Sequence, residues 1–351
     1  MNLCNVVLST EPRGGKGGVA TVIPMYLEAL GKLGRTEFIP THTNRGVSGK
    51  FVPWFFAFFR CAGVIVRGRG SQIVFHLHPG SGFCIIRMLI LAFFLRYVAK
   101  QYVLIYLHTP YLDAYLNSKF WRPIVGALVR CSDRVIVLTS YARDLLKSHN
   151  IIGQVRIVPN PFRADCCRAN KATRINENVT ILIMGRLVSG KGFVETVRAM
   201  AELPENFHLV VAGEGELGDQ IRDEISLNNL ESRVKMTGWI FGSEKEEYLA
   251  KANVFCLPSK VDSFGMSFVE AQCYDLPIVA FRHPPVMEVI RPCAAVFVDI
   301  VEPKNLSQAI EAANGLNSII VAGSGARWVE ESFGVGKISE SLSEIISDVI
   351  A

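Results

Sequence analysis

What the chain lacks narrows it first. Nine cysteines are present, yet none form a Cys-x-x-Cys pair and no regular spacing links them, which argues against zinc ribbons and dithiol redox motifs. Most sit beside apolar residues, as Cys256 does in "NVFCLP", and read as small core residues of a reduced chain. No Asp-x-Asp pair occurs anywhere, so there is no short acidic motif to hold a divalent ion, and no metal site is expected. The amino terminus has no basic segment followed by a cleavage site, which points to a cytoplasmic location. Long apolar runs are also missing: Arg60 interrupts Phe51 to Val66, and Arg87, Arg96 and Lys100 interrupt Phe83 to Leu107. Neither window supplies the ~18 uninterrupted apolar residues of a membrane-crossing helix. Repeats and low-complexity tracts are absent.

What is present fits two domains, since 351 residues exceed one ordinary core. The net charge of +5 hides an asymmetry: Met1 to Asp165 carries 20 Lys/Arg against 7 Asp/Glu, or +13, and Cys166 to Ala351 carries 17 against 25, or −8. The basic half also holds the apolar windows. That pairing predicts a first domain lying against an anionic membrane surface, where each juxtamembrane cation contributes on the order of 1 kcal/mol. A basic face that steers a phosphorylated substrate is the alternative. No nucleic-acid partner is expected.

Short apolar runs bounded by Gly, Pro and Asn recur: "CNVVLST", "QIVFHLH", "YVLIYLH", "RVIVLTS", "VTILIMG", "FHLVVAGEG", "VFCLPS" and "PIVAF". Between them lie stretches with helical apolar spacing, so the fold class is α/β with parallel sheets covered on both faces. The Asn-rich stretch 164–178 follows the turn-forming "VPNPF" and predicts an interdomain linker. The expected boundaries are 1–163 for an amino-terminal, acceptor-binding Rossmann-like domain, 179–334 for a carboxy-terminal domain, and 335–351 for a last helix crossing back onto the first. Two such sheets with their strand carboxyl ends facing would form a central cleft, where helix amino termini present N–H groups.

The stretch "GRLVSGKGF" approaches the nucleotide-hydrolase pattern G-x-x-x-x-G-K-[ST], but Gly192 stands where the Mg²⁺-binding hydroxyl belongs. Arg186, just past the strand "VTILIM", and Lys191, just before the next helix, put two cations beside one another, an arrangement that suits a diphosphate without an ion. An ordinary solvated turn is the alternative. Further on, Asp262 lies on a loop, Ser263-Phe264-Gly265 form a turn, and a helix starts near Met266 with Glu270 early in it. A carboxylate can accept both hydroxyls of a sugar diol, and the amides around Gly265 and Met266 can contact a phosphate. The alternative is that Glu270 only complements a helix dipole and Asp262 only caps a turn.

In that order, "MGRLVSGKGFVETVRAM", "LVVAGEGEL", "VKMTGWI", "EYLAKANVFCLPS" and "DSFGMSFVEAQCYDLPIVAF" resemble the donor half of glycosyltransferase family 4, retaining enzymes of the GT-B fold. The resemblance implies two Rossmann-like domains. It also implies that Arg186 and Lys191 hold the donor diphosphate, that Glu270 binds the ribose, and that Asp262 contacts the donor sugar. It places Trp239 or Ile240 near the nucleobase and Gly213 of "AGEGE" beside it, with plain strand-end packing an equal alternative. Two positions depart from the pattern. Asp262 stands where Glu is usual, which leaves the donor sugar undetermined. Asp275 replaces a usual Gly, a change expected to concern only a turn.

In the first half, "TEPRGGKGGVATVI" follows the first strand. Gly15, Gly17 and Ala20 satisfy G-x-G-x-x-A, but "FIPTHTN" supplies no acid at the second strand's end, so the dinucleotide reading is weak. The resemblance matches Gly17 and Gly18 to a double glycine near the donor phosphate, and His108 of "YLHTPY" to a histidine that meets the donor sugar. A satisfied core histidine is the alternative for His108. His76 and His78 share a strand face, but with no third ligand they do not make a metal pair.

These readings predict a metal-independent retaining glycosyltransferase that needs no cofactor. It would move sugar from a UDP- or GDP-sugar to a saccharide or polyprenyl-linked saccharide at the inner face of the cell membrane. The resemblance implies front-face displacement with no protein nucleophile. A non-catalytic sugar-nucleotide or lipid-binding relative and a P-loop nucleotide hydrolase are the rivals.

Overall fold

A computed structural model describes residues 3–12, 17–43, 46, 48–151, 153–164 and 178–351. The predicted linker falls almost wholly on 165–177, outside the described residues, as does Gly15. In chain order the elements are β1 (Leu3–Thr10), α1 (Gly18–Gly31), β2 (Arg35–His42), α2 (Ser48–Arg67), β3 (Gln72–Leu77), α3 (Phe83–Phe93), β4 (Tyr102–Leu107), α4 (Leu112–Asn117), α5 (Trp121–Arg130), β5 (Arg134–Val137), α6 (Ser140–Ser148) and β6 (Val155–Ile157). They continue as β7 (Val179–Met184), α7 (Phe193–Ala199), β8 (Phe207–Ala212), α8 (Gly218–Leu227), β9 (Val234–Gly238), α9 (Gly242–Lys251), β10 (Val254–Leu257), α10 (Met266–Cys273), β11 (Ile278–Phe281), α11 (Pro284–Met287), β12 (Ala295–Val298), α12 (Pro303–Gly315), α13 (Ser324–Phe333) and α14 (Val335–Ile350). The chain divides into two compact units, Met1–Arg163 with Phe333–Ala351, and Ala164–Ser332.

The first unit holds a parallel sheet ordered β2-β1-β3-β4-β5-β6. Its inner strands β1, β3, β4 and β5 are rich in Val, Ile, Leu and Phe, as helices covering both faces require. On one face Ala57, Cys61 and Val64 of α2, Met88 and Leu91 of α3, and Leu128 of α5 pack into a common core with Phe75 and Ile105. On the other, α1 and α14 lie together, and the Ser339 hydroxyl donates to the Ala29 carbonyl at 2.8 Å. The chain re-enters this unit through a Phe162 N–H to Phe333 carbonyl bond of 2.7 Å, so Phe333 and Gly334, predicted in the second domain, belong to the first.

The second unit repeats the pattern in the order β12-β11-β10-β7-β8-β9, again parallel. Pro at the starts of α11 and α12 fits a position whose N–H would have no helical partner.

Two expectations need correction. α2 is long and apolar enough, by length and composition, to cross a membrane, because Lys50 and Arg60 do not lower its average enough. Asp275 is more than a turn residue. It is buried at φ 54, the left-handed region that explains why Gly is usual there. Its two carboxylate oxygens accept the Gly323 and Gly325 N–H groups at 2.6 and 2.7 Å, fastening the start of α13. Asp275→Ala strands two donors and keeps the backbone strain, so it should cost about 2–4 kcal/mol. Asp275→Gly relieves the strain and should cost less. Chemical denaturation of the two variants checks the order; equal losses would remove the backbone argument.

Candidate functional site

In the second unit β7 and β10 are neighbours, and the strand order runs in opposite directions from them, β7-β8-β9 one way and β10-β11-β12 the other. A crevice opens beyond the carboxyl ends of strands at such a switch point. Two loops meet there, 185–192 after β7 and 258–265 after β10. The Lys260 N–H donates to the Gly190 carbonyl at 2.8 Å. Gly192, at φ 80, packs so closely that a Cβ would collide with Pro258 Cγ. On this joined pair of loops, Lys191 Nζ meets Asp262 Oδ1 at 2.7 Å, both side chains largely buried. Asp262 Oδ2 is also buried but has no hydrogen-bond partner, an acceptor left open. Arg186 is exposed at the same strand end and forms no ion pair among the described residues.

His283, which sequence reasoning passed over, donates through Nε2–H to the Asp262 carbonyl at 3.2 Å. Burial pushes its pKa down, against the pull of Asp262 and with a further push from Lys191, so it is a neutral support for the Asp262 loop. Its place after β11, with no motif around it, gave no signal.

Glu270 lies within α10 and is nearly buried, its Oε1 3.0 Å from Lys245 Nζ on α9. Lys245 also went unforeseen, because it lies in a charged helix face, "SEKEEY", that reads as solvated. Gly265 caps α10 and Met266 begins it, as expected. The Phe264 side chain, expected at the donor site, is buried in the core. Ile240 is buried likewise, whereas Trp239 is half-buried and rests 6.1 Å from the Phe241 ring. That makes Trp239 the better of the two for stacking on a base. Gly213 ends β8 where a Cβ would collide with the Gly185 carbonyl, so it serves close packing of two loops.

In the first unit the switch falls between β1 and β3. Gly17 caps α1 and Gly18 opens it. His76, His78 and His108 are all buried. His76 Nδ1 lies 2.7 Å from the Tyr106 hydroxyl and its Nε2 3.1 Å from Asn5 Oδ1, so it is occupied by polar neighbours. Among the described residues no group of three or more His, Cys, Asp or Glu could hold a metal ion. His78 Nδ1 lies 2.8 Å from His108 Nε2, and the two rings stack with Tyr106. Burial lowers His108 to about 4 and His76 to about 3; His78 is pushed well down by burial, with the two neighbouring histidines adding to it. His108 is thus a neutral, hydrogen-bonded histidine, as the core alternative required, and one of its nitrogens is engaged by His78.

The profile described as "Glycosyl transferases group 1" matches residues 168–318. The 2-deoxystreptamine N-acetyl-D-glucosaminyltransferase of Niallia circulans is 22% identical over 238 residues, 62% of this chain and 60% of that one. A Campylobacter jejuni enzyme, N-acetylgalactosamine-N,N'-diacetylbacillosaminyl-diphospho-undecaprenol 4-alpha-N-acetylgalactosaminyltransferase, is 33% identical over 103 residues, 29% of this chain and 28% of that one. The chain spans about three fifths of the length of the first curated relatives it matches, 60–62%. The crystal structure of Anabaena HepE with UDP and glucose superposes with a TM-score of 0.75 at 17% identity, covering 98% of this chain and 99% of that one. The fold is GT-B. In GT-B terms the Lys191–Asp262 pair and Glu270 belong to the carboxy-terminal Rossmann-like unit, and the histidine cluster to the amino-terminal one.

The histidines of this GT-B protein have a measurable consequence. A pKa held at about 4 in the folded state, against ~6.5 unfolded, means that the unfolded chain binds the proton first as pH falls. Stability is therefore full above pH ~6.5 and lost as pH falls toward 4, by about 2 kcal/mol between pH 7 and 5 for His108 alone. Hydrogen exchange in β1, β3 and β4 at those two pH values checks this. Unchanged protection there would contradict the buried neutral state.

Proposed function

We propose that the chain is a metal-independent, retaining glycosyltransferase. It moves a sugar from a UDP- or GDP-sugar to a saccharide or polyprenyl-linked saccharide acceptor at the cytoplasmic membrane face. The observation that carries this reading is Lys191 and Asp262 held together on two interlocked loops at the switch point, inside the stretch matched by the group 1 glycosyl transferase profile. The names of the relatives support the transferase class and, for the Campylobacter enzyme, a diphospho-undecaprenol acceptor.

In this reading Arg186 and Lys191 take the donor diphosphate, and Lys191 leaves Asp262 for it. Each then stabilises the charge that grows on the departing phosphate oxygen, the electrostatic term that is usually the largest in such transfers. Asp262, with Oδ2 open, accepts a hydroxyl of the donor sugar. Glu270, held by Lys245 through one oxygen, offers the other to the ribose diol. The phosphate oxygen helps take the proton of the attacking hydroxyl, so no protein nucleophile is needed. His108, buried and neutral in the amino-terminal unit and engaged by His78, takes no proton in this reading. The nucleotide-hydrolase alternative fails at Gly192, where Pro258 leaves no room for the side chain of Ser or Thr.

Thermal stabilisation across a panel of nucleotide sugars, with chelator present, tests the donor and its independence of metal together. A selective shift by one nucleotide sugar is expected, and no shift with any would overturn the reading. Lys191→Ala should lower turnover at saturating donor by ~10² or more; near-normal turnover would remove its role. Lys245→Met should act differently, raising half-saturation by donor about fivefold while leaving saturated turnover nearly unchanged, because it releases only the Glu270 carboxylate. An unchanged half-saturation would show that the pair is merely structural.

A further inference from the structure

α2 carries two apolar stripes where folding needs one. Ala57, Cys61 and Val64 face the core, but Val52, Phe55, Phe56, Phe59 and Val66, at spacings of three, four and seven, face outward. Phe59 is 62% exposed. α3, continued by a π-helical turn at Phe94–Val98, repeats the arrangement: Phe83 is 75% exposed, and Ile90, Phe93 and Tyr97 follow it on the outer face. The two helices are side by side, joined by a Trp54 indole N–H to Arg87 carbonyl bond of 2.9 Å and an edge-to-face contact of Phe58 with Phe94 at 5.3 Å. Their outer stripes therefore adjoin as one contiguous exposed apolar patch, the kind of surface that marks a binding face.

Charge identifies what covers it. Between Glu37 and Asp113 the sequence contains no Asp or Glu but eight Lys or Arg. Of the two acids that bound this stretch, Glu37 is engaged by Arg35 and Arg67 at 2.7 and 3.3 Å and Asp113 accepts the Asn117 side-chain amide at 3.0 Å; Asp133, farther along, holds Arg96 at 2.8 Å. Lys50, Arg60, Arg69 and Lys100 are exposed and form no ion pair among the described residues. Phenylalanines ringed by unpaired cations match the apolar-below, anionic-above layering of a bilayer surface. Crossing the bilayer would tear Ala57, Cys61 and Val64 out of the core, so α2 lies flat.

We propose that the outer faces of α2 and α3 form one bilayer-docking surface, with Phe55, Phe56, Phe59, Phe83 and Phe93 sunk among acyl chains and the flanking Lys and Arg on anionic lipid headgroups. The proposal rests on the reading that the acceptor is membrane-borne, and it makes the amino-terminal unit the half that reaches the lipid.

Flotation of the full chain with phosphatidylglycerol-containing vesicles tests it against pure phosphatidylcholine vesicles. Binding to the anionic vesicles is expected, weakened by salt. The triple variant Phe55→Ser, Phe56→Ser and Phe59→Ser, altered only at exposed positions, should lose at least about tenfold in vesicle partitioning while keeping its thermal shift with nucleotide sugar. No flotation of the wild type, or equal flotation of the triple variant, would overturn the proposal. So would a solution dimer that the variant dissolves without any vesicle binding, which would assign the face to a second copy, or retention after carbonate extraction, which would mean that α2 spans. The thermal shift is read without vesicles, so failure of the donor reading is seen separately.

Discussion

The pairing of Lys191 with Asp262 depends on everything beneath it and organises everything above it. It exists because β7 and β10 are adjacent while the chain leaves them in opposite directions, so that loops 73 residues apart at their strands' registered ends are forced into contact. The glycines of the first loop are fixed by that contact, packed on Pro258 and Val261 of the second. The ion pair itself is modest in strength at partial exposure. Its importance is that it stores a cation and a carboxylate, already oriented, at the place where strand ends and helix starts leave room for a ligand.

A second constraint runs through the amino-terminal unit. Parallel strands buried on both faces tolerate few polar side chains, yet β1, β3 and β4 carry Asn5, His76, His78 and Tyr106 inside the sheet layer or at its end. They hydrogen-bond to one another, with His78 Nε2 left without a partner among the described residues. Such contacts stiffen a core, and the His78 contact fixes one nitrogen of His108.

Much of this was legible in the sequence because it follows from periodicity and local chemistry. Continuous apolar runs marked the strands, and Gly190, Lys191, Asp262 and Glu270 came from ordered motifs whose spacing reflects loops at strand ends. What escaped was tertiary. Lys245 is one cation among many on α9 until Glu270 lies beneath it. The role of Asp275 is invisible because its partners, Gly323 and Gly325, lie about 50 residues away and contribute only backbone N–H groups. The burial of the Phe264 and Ile240 side chains was likewise not legible from their motif positions.

The return of α14 to the amino-terminal unit, laid against α1, has a bearing on biosynthesis. Ile338, Leu342 and Ile346 on α14 are all buried, and the side of α1 that α14 covers stays bare until residues 335–350 have been made. The lobe translated first is therefore completed only after the other has been synthesised.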